Sequence, residues 1–147
     1  MAPPSRAYSG RFDSPGFPVL YAAEDVRTCE AEVAHHLRTH YLRHQIVPHR
    51  QVFAYSLLEV PLSGRFDDLR RHATVGLQGP SRLSYASARQ YALAAFRVGL
   101  DGLIYMSPRH PGGTCVARFL PAGLRLPVRV VGTRSFHWTG KRLVLHP

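Results

Sequence analysis

The spacing of apolar residues is the feature that most constrains how this chain can fold. In one segment the apolar residues recur at intervals of three and four, at Val26, Cys29, Val33 and Leu37. That spacing places them along one side of a helix, so the pattern predicts an amphipathic helix over residues 26–40. Either Glu24 or Asp25 is suited to its N-cap.

The other apolar residues lie mostly in short runs bounded by glycine, proline and polar residues, which is typical of strands. The predicted strands are residues 18–22, 51–60, 103–105, 115–120, 128–131 and 143–145. The second of these is predicted to be buried. A second helix is predicted over residues 85–98, with Ser84 as its cap and Gly99 as its stop. A short helical turn is predicted over residues 67–72.

Length and composition favour one globular domain. The chain has 147 residues, of which 45% are hydrophobic and 19% charged, and these proportions are not those of a disordered protein. We therefore expect a single α+β domain over residues 1–147, with mixed or antiparallel sheets, flanking helices, and residues 1–8 as a flexible arm. The sequence contains neither an apolar run of transmembrane length nor the apolar stretch of a secretory signal. A cytoplasmic location, in its own cell or in a target cell, and no membrane association are predicted.

The charge of the chain indicates an anionic partner. Nineteen basic residues against nine acidic ones give a formal net charge of +10. The arginines are scattered rather than gathered into a basic run interleaved with aromatic residues, which single-strand binders show. Nucleic-acid binding is therefore an alternative that the sequence does not favour, and an anionic small molecule or an acidic protein explains the charge equally well.

Three residues in the first third of the chain have side chains suited to a nucleotide ligand. Arg11 lies in a predicted loop between a glycine and an aromatic residue, where its guanidinium can meet phosphate oxygens or simply face solvent. Tyr21 lies at the end of a predicted strand and can either stack on a flat ligand or belong to the core. Glu32 lies beside the apolar stripe, where a half-buried carboxylate can stabilise a positive charge, unless it is solvated and paired with a basic neighbour.

Polar residues follow the predicted strand at residues 103–105. Ser107 and Arg109 begin a loop at its carboxyl end, a common position for ligand contacts. The run around Ser107 lacks the Gly-x-Ser-x-Gly turn of a nucleophilic serine, so a hydrogen-bonding role is predicted.

Three histidines, His36, His40 and His44, recur at intervals of four. Side chains stacked along a helix over two turns do not converge well on one ion, so no metal site is predicted.

Taken together, these segments resemble the RES-domain family. The matching pieces occur in the family's order and span residues 9–120. They are a Gly-Arg-Phe-Asp turn at residues 10–13, a Val-Leu-Tyr strand at 19–21, an Ala-Glu-Val helix segment at 31–33, the glycine-to-arginine run at 99–109, and a Gly-Gly loop at 112–113.

The resemblance implies a fold similar to ADP-ribosyltransferase toxins and breakdown of NAD⁺ at the nicotinamide glycosidic bond, by water or by phosphate. NAD⁺ is then a substrate, and no cofactor is expected. An antitoxin or immunity protein is the implied partner. Two alternatives stay open: transfer of ADP-ribose to a protein or nucleic acid, and a non-catalytic basic binding module.

The resemblance also implies a role for each candidate residue. Arg11 would bind the phosphates of NAD⁺, and Tyr21 would stack at its nicotinamide end. Glu32 would face the nicotinamide ribose. Ser107 would hydrogen-bond the ligand, and Arg109 would help to bind it.

Two features depart from the family pattern. Asp13 stands where the family usually has asparagine. Family members also usually carry another arginine on a strand before the Gly-Arg turn, and the sequence begins too late to include it. Arg6, or a later arginine such as Arg50, is the expected substitute.

Overall fold

The structure is a computed structural model that describes residues 10–14, 16–42, 50–72 and 82–146, without the side chains of residues 40, 41 and 82–84. The predicted arm over residues 1–8, Arg6 and His44 lie outside the described residues. The helices and strands are β1 (Val19–Ala23), α1 (Val26–His36), β2 (Val52–Glu59), β3 (Phe66–Asp68), α2 (Arg82–Arg97), β4 (Gly102–Met106), β5 (Thr114–Phe119), β6 (Arg129–Trp138) and β7 (Leu143–His146). The predicted α+β class is confirmed.

The chain divides into two compact units. The described residues of Met1–Cys29 and Gly64–Leu124 form the first unit, and those of Glu30–Ser63 and Arg125–Pro147 form the second. Helix α1 begins in the first unit and continues in the second. That the whole chain acts as one domain stays a prediction.

The first unit contains a four-stranded mixed sheet in the order β1-β5-β4-β3. Strand β5 is antiparallel to β1 and β4, whereas β3 is parallel to β4. As a result, the carboxyl ends of β1, β3 and β4 lie at the same edge as the start of β5. We call this the carboxyl edge; it is marked by Ala23, Asp68, Met106 and Thr114. Loops that follow β1, β3 and β4 therefore begin side by side.

Helix α2 covers one face of this sheet. Its buried residues are alanines at spacings of four and three, Ala88, Ala92 and Ala95, and small side chains let a helix lie close to the strands. Phe17 stacks on Phe96 of the helix at 4.2 Å and packs on Phe119 of β5 at 4.8 Å. These contacts join the segment before β1 to both layers.

The second unit contains an antiparallel three-stranded sheet in the order β2-β6-β7. Its core consists of Ala34 of α1 and Leu37, the residue that follows α1, packed with Phe136 and Leu143. Strand β2 alternates between half-buried and exposed positions, and Leu58 is 52% exposed. The prediction that this strand is buried was wrong, because the alternate residues on one of its two faces are exposed.

Several predicted boundaries are also corrected. Helix α1 ends at His36 and continues as a π-helical segment, Leu37–Leu42. There the Thr39 hydroxyl donates to the His35 carbonyl at 2.8 Å, a bond that competes with the regular ladder. Helix α2 begins at Arg82, because Arg and Leu are good helix formers, so Ser84 lies inside the first turn rather than at the cap.

The turn predicted over residues 67–72 is shorter in the structure. It is a 3₁₀ helix over Leu69–Arg71, and it directly follows β3, which the sequence did not predict. β3 has three residues that pair with β4, and this long-range pairing leaves no local pattern.

Candidate active site

The turn that contains Arg11 is bonded to Tyr21 of β1. The Tyr21 hydroxyl accepts the Phe12 N–H at 2.9 Å and donates to Asp13 Oδ1 at 2.8 Å. The other carboxylate oxygen of Asp13 accepts the Gly10 N–H. Burial of the phenol, and then the negative charge of Asp13, raise the pKa of Tyr21. The hydroxyl of Tyr21 thus donates its proton to a hydrogen bond with Asp13. Tyr21 nevertheless has 38% of its surface exposed.

Gly10 lies directly against the hydroxyl end of Tyr21. A Cβ built on Gly10 would overlap the ring carbons and the oxygen of that side chain. The glycine of the Gly-Arg turn is therefore needed for close approach, so that the turn can lie on β1.

Arg11 is buried, with 8% of its surface exposed. Its guanidinium carbon lies over the ring of Tyr85 on α2, 5.3 Å from the ring centre. Contact over an aromatic ring helps to orient a guanidinium group. Next to it, the fully buried Phe12 packs edge-on against Tyr105 of β4 at 5.0 Å.

Tyr21 and Tyr105 lie on the same face of the sheet. The register pairs Tyr21 with Ala117 and Ala117 with Leu103, and paired residues of neighbouring strands share a face. Tyr105 comes two residues after Leu103 and therefore also lies on this face. Ser107 follows Tyr105 by two residues, just past the end of β4. The structure thus brings Arg11, Tyr21 and the start of the Ser107 loop to one side of the sheet.

Ser107 forms hydrogen bonds within the loop that follows β4. Its Oγ accepts the backbone N–H groups of Arg109 at 3.1 Å and His110 at 3.0 Å. Its own N–H donates to the Gly113 carbonyl at 2.9 Å. The two bonds accepted by Oγ use both lone pairs of the hydroxyl oxygen. The hydrogen-bonding role of Ser107 toward a ligand stays a prediction.

The loop after β4 is also bonded to the start of α1. Thr28 is fully buried, and its Oγ1 lies 2.7 Å from Asp25 Oδ2 and 2.7 Å from His110 Nδ1. Asp25 Oδ1 accepts the Thr28 N–H at 2.9 Å, which makes Asp25 the N-cap predicted as one of two choices. The side-chain bond from Thr28, and then the backbone bond, lower the pKa of Asp25.

An ion pair completes the carboxyl edge. Arg70 donates to both carboxylate oxygens of Asp68, at 2.7 and 2.8 Å, and to the Thr114 hydroxyl at 3.0 Å. The bond from Arg70 is the main reason that the pKa of Asp68 falls to about 2. The guanidinium joins the turn after β3 to the start of β5.

The family model of the RES domain matches residues 1–139. The chain belongs to the RES-domain family. No curated protein matches it. The RES domain is associated with NAD⁺-related toxins and with toxin–antitoxin systems.

The RES-family residues fall in both units. Arg11, Tyr21, Ser107 and Arg109 lie in the first unit, and Arg109 is exposed. Glu32 lies on the part of α1 that belongs to the second unit and is half-buried. The roles of these five residues stay predictions.

The described residues also bear on the predicted substitute arginine, the metal site and membrane association. Arg50, the expected substitute arginine within the described residues, is exposed in the second unit and has a positive φ of 68°. Among the described residues no group of three or more metal-ligating side chains occurs. In the same part of the chain no helix is long and apolar enough to cross a membrane.

Sequence reasoning missed two features of this RES domain. The bond of His110 to Thr28 joins residues 82 positions apart, so no local pattern predicts it. The contact of Tyr85 with Arg11 likewise joins distant parts of the chain. The second glycine of the Gly-Gly loop carried a usable signal, since a Cβ on Gly113 would overlap Thr28 and crowd His110.

Proposed function

We propose that this RES domain cleaves the bond between nicotinamide and ribose in NAD⁺, as a toxin-type enzyme that depletes NAD⁺. The observation that carries the proposal is the family match over residues 1–139, which includes the Gly-Arg turn bonded to Tyr21. A buried arginine and a partly exposed aromatic ring on one face are suited to a ligand that joins a pyrophosphate to flat rings.

Arg11 is the proposed ligand of the pyrophosphate. Its burial supports this role, because charges attract each other more strongly where water is excluded. The contact with Tyr85 orients the guanidinium before substrate binds. Such an orientation lowers the entropy lost on binding.

Tyr21 is proposed to stack on the nicotinamide end through its ring. Its hydroxyl is bonded to the backbone of the Arg11 turn and to Asp13, which supports a contact made by the ring rather than by the oxygen. Asparagine, usual in the family at position 13, would bond the hydroxyl through an amide that can also donate. The Asp13 carboxylate can only accept, so in this chain the phenol proton of Tyr21 points to Asp13.

Glu32 is proposed as the residue that stabilises the reacting ribose. Breaking the C–N bond builds positive charge on the ribose ring, and a nearby carboxylate stabilises that charge. Nicotinamide leaves as a neutral molecule and needs no strong acid. No step of this chemistry calls for a cofactor.

Ser107 is proposed to support the site through its loop and to donate its O–H to the ligand. Its oxygen accepts two backbone N–H groups of the loop, which supports the first of these roles. Arg109 follows it in the same exposed loop and is a proposed ligand contact. An antitoxin or immunity protein that blocks this site is the proposed partner.

The test is loss of NAD⁺ in the presence of the purified protein, beside two matched variants of α1. Glu32→Gln should lower the rate by about a hundred- to a thousand-fold, as for loss of one group that stabilises a transition state. Glu30→Gln removes the neighbouring acid, which is paired with Arg134 at 3.0 Å, and should retain the rate.

Two outcomes would contradict the proposal. If the wild-type protein leaves NAD⁺ intact, the activity is absent. If radiolabelled ADP-ribose instead appears on added protein or nucleic acid, the enzyme is a transferase.

A further inference from the structure

A buried hydroxyl connects an acid and a histidine beside the Ser107 loop. Thr28 has no exposed surface, and its Oγ1 lies at 2.7 Å from both Asp25 Oδ2 and His110 Nδ1. All three residues belong to the first unit. Their arrangement resembles an acid–histidine pair with a hydroxyl between the two groups.

The proton positions in this chain of bonds follow from the donors available. A threonine hydroxyl has one proton to donate. The Asp25 carboxylate accepts only, because its pKa is lowered by its bonds from Thr28 and it is ionised near neutral pH. The hydroxyl proton therefore points to Asp25, and the Thr28 oxygen accepts from His110. The Nδ1 of His110 consequently carries a proton.

The same bonds determine what the other ring nitrogen can do. In a neutral imidazole with a proton on Nδ1, Nε2 is an acceptor. No residue within the described part of the chain hydrogen-bonds to Nε2 of His110. An imidazolium formed by protonation of Nε2 would be stabilised by Asp25 through the Thr28 hydroxyl.

The position of the histidine is set from two directions. Its backbone N–H donates to Ser107 Oγ at 3.0 Å, and its ring is bonded to Thr28. Gly113 permits this approach, because a Cβ there would overlap Thr28 Oγ1 and lie 2.9 Å from His110 Nδ1. Ser107 is therefore also a positioning residue for His110.

We propose that His110 is the general base that activates water as the acceptor in NAD⁺ cleavage. This inference rests on the proposed function. The water oxygen forms a bond to C1′ of the nicotinamide ribose while the bond from C1′ to the nicotinamide nitrogen breaks and its electron pair stays on nicotinamide. One water proton passes to His110 Nε2. The products are ADP-ribose, nicotinamide and a proton, which is later released to solvent.

This assignment distinguishes water from phosphate as the acceptor. Water must lose a proton as it attacks, whereas a phosphate dianion attacks without losing one. A base held as an acceptor assists the first reaction and not the second. The RES domain is therefore assigned hydrolysis rather than phosphorolysis.

The kinetic test removes the proposed base, His110, and then adds azide, a nucleophile that needs no general base. His110→Ala should lower hydrolysis by about a hundred- to ten-thousand-fold, with little change in KM for NAD⁺. Sodium azide should restore NAD⁺ loss in this variant, with azido-ADP-ribose as product. The control is His146→Gln, an exposed histidine of β7, which should hydrolyse NAD⁺ at the wild-type rate.

A spectroscopic test does not depend on activity. Nitrogen NMR of the His110 ring, in mildly alkaline buffer where imidazole is neutral, should show the proton on Nδ1. Thr28→Val, which removes the hydroxyl at nearly constant volume, should abolish this preference. Thr28→Ser keeps the hydroxyl and should retain it.

The outcomes separate this inference from the activity on which it rests. A wild-type protein that leaves NAD⁺ intact overturns both. Cleavage that His110→Ala retains, or that falls without rescue by azide, overturns the role of His110 alone. A proton found on Nε2 in the wild-type protein overturns the bond pattern itself.

Discussion

The Arg11 turn depends on a close contact between two single residues, Gly10 and Tyr21. Gly10 and Tyr21 are weak signals in the sequence, since a glycine beside an arginine occurs in many turns. In the structure the glycine is required because the tyrosine hydroxyl lies where a Cβ would be. The tyrosine in turn bonds the backbone of the turn at Phe12.

Gly10→Ala should therefore destabilise the protein. The added methyl group displaces the Tyr21 ring and breaks its bonds to Phe12 and Asp13, at a cost of about 1–3 kcal/mol in the free energy of unfolding. Urea denaturation measures this. Gly16→Ala is the matched control, because a Cβ at Gly16 meets no atom within 4 Å. Equal midpoints for Gly10→Ala and the wild type would disprove the close approach.

Tyr21→Phe separates the ring from the hydroxyl. Loss of the oxygen leaves the Phe12 N–H without its acceptor and should lower the free energy of unfolding by about 1–3 kcal/mol. Because the ring remains, kcat/KM for NAD⁺ should fall much less than in Tyr21→Ala. Equal losses of kcat/KM in the two variants would contradict stacking as the role of the ring.

Among the elements, those with a local apolar pattern were predicted from sequence, whereas the three-residue strand β3 has no such pattern and was not. The apolar stripe predicted α1, and the Gly99 stop is present just after α2 with a φ of 81°. Strand β3 was missed because its parallel partner β4 lies far along the chain. The same holds for the candidate site. Arg11 and Ser107 lie in recognisable sequence motifs, whereas no motif indicates the bond between His110 and Thr28.

The turn after β3 gives a prediction about pH. The bond from Arg70 lowers the pKa of Asp68 to about 2, so the ionised form is favoured in the folded state. Its stabilisation is fully present above the unfolded pKa of about 3.8 and is lost as the pH falls toward 2.

Thermal unfolding at a series of acid pH values tests this. Asp68→Asn should have a lower Tm than the wild type near neutral pH, and the difference should shrink as the solution is acidified through this range. Glu59→Gln breaks an exposed ion pair with Arg129 and should shift Tm little at any pH. A difference between wild type and Asp68→Asn that does not change with pH would contradict the role of the carboxylate.

At the scale of the whole molecule, charge is the property that composition predicts best. The net charge of +10 favours an anionic ligand, and the pyrophosphate of NAD⁺ satisfies that condition without a nucleic acid. We expect KM for NAD⁺ to rise severalfold between roughly 0.05 and 0.5 M NaCl, where salt screens charges over shorter distances, with kcat nearly constant. A KM independent of salt would show that charge does not contribute to substrate binding.

The most direct test of the proposed activity is to identify the products formed from NAD⁺ in heavy-oxygen water, with and without inorganic phosphate. We expect nicotinamide to be released in equal amount to the NAD⁺ lost, and ADP-ribose to carry the heavy oxygen on C1′ of the ribose, in both conditions. Intact NAD⁺, or nicotinamide mononucleotide and AMP from a cut at the pyrophosphate, would contradict the central claim that this RES domain breaks the nicotinamide–ribose bond.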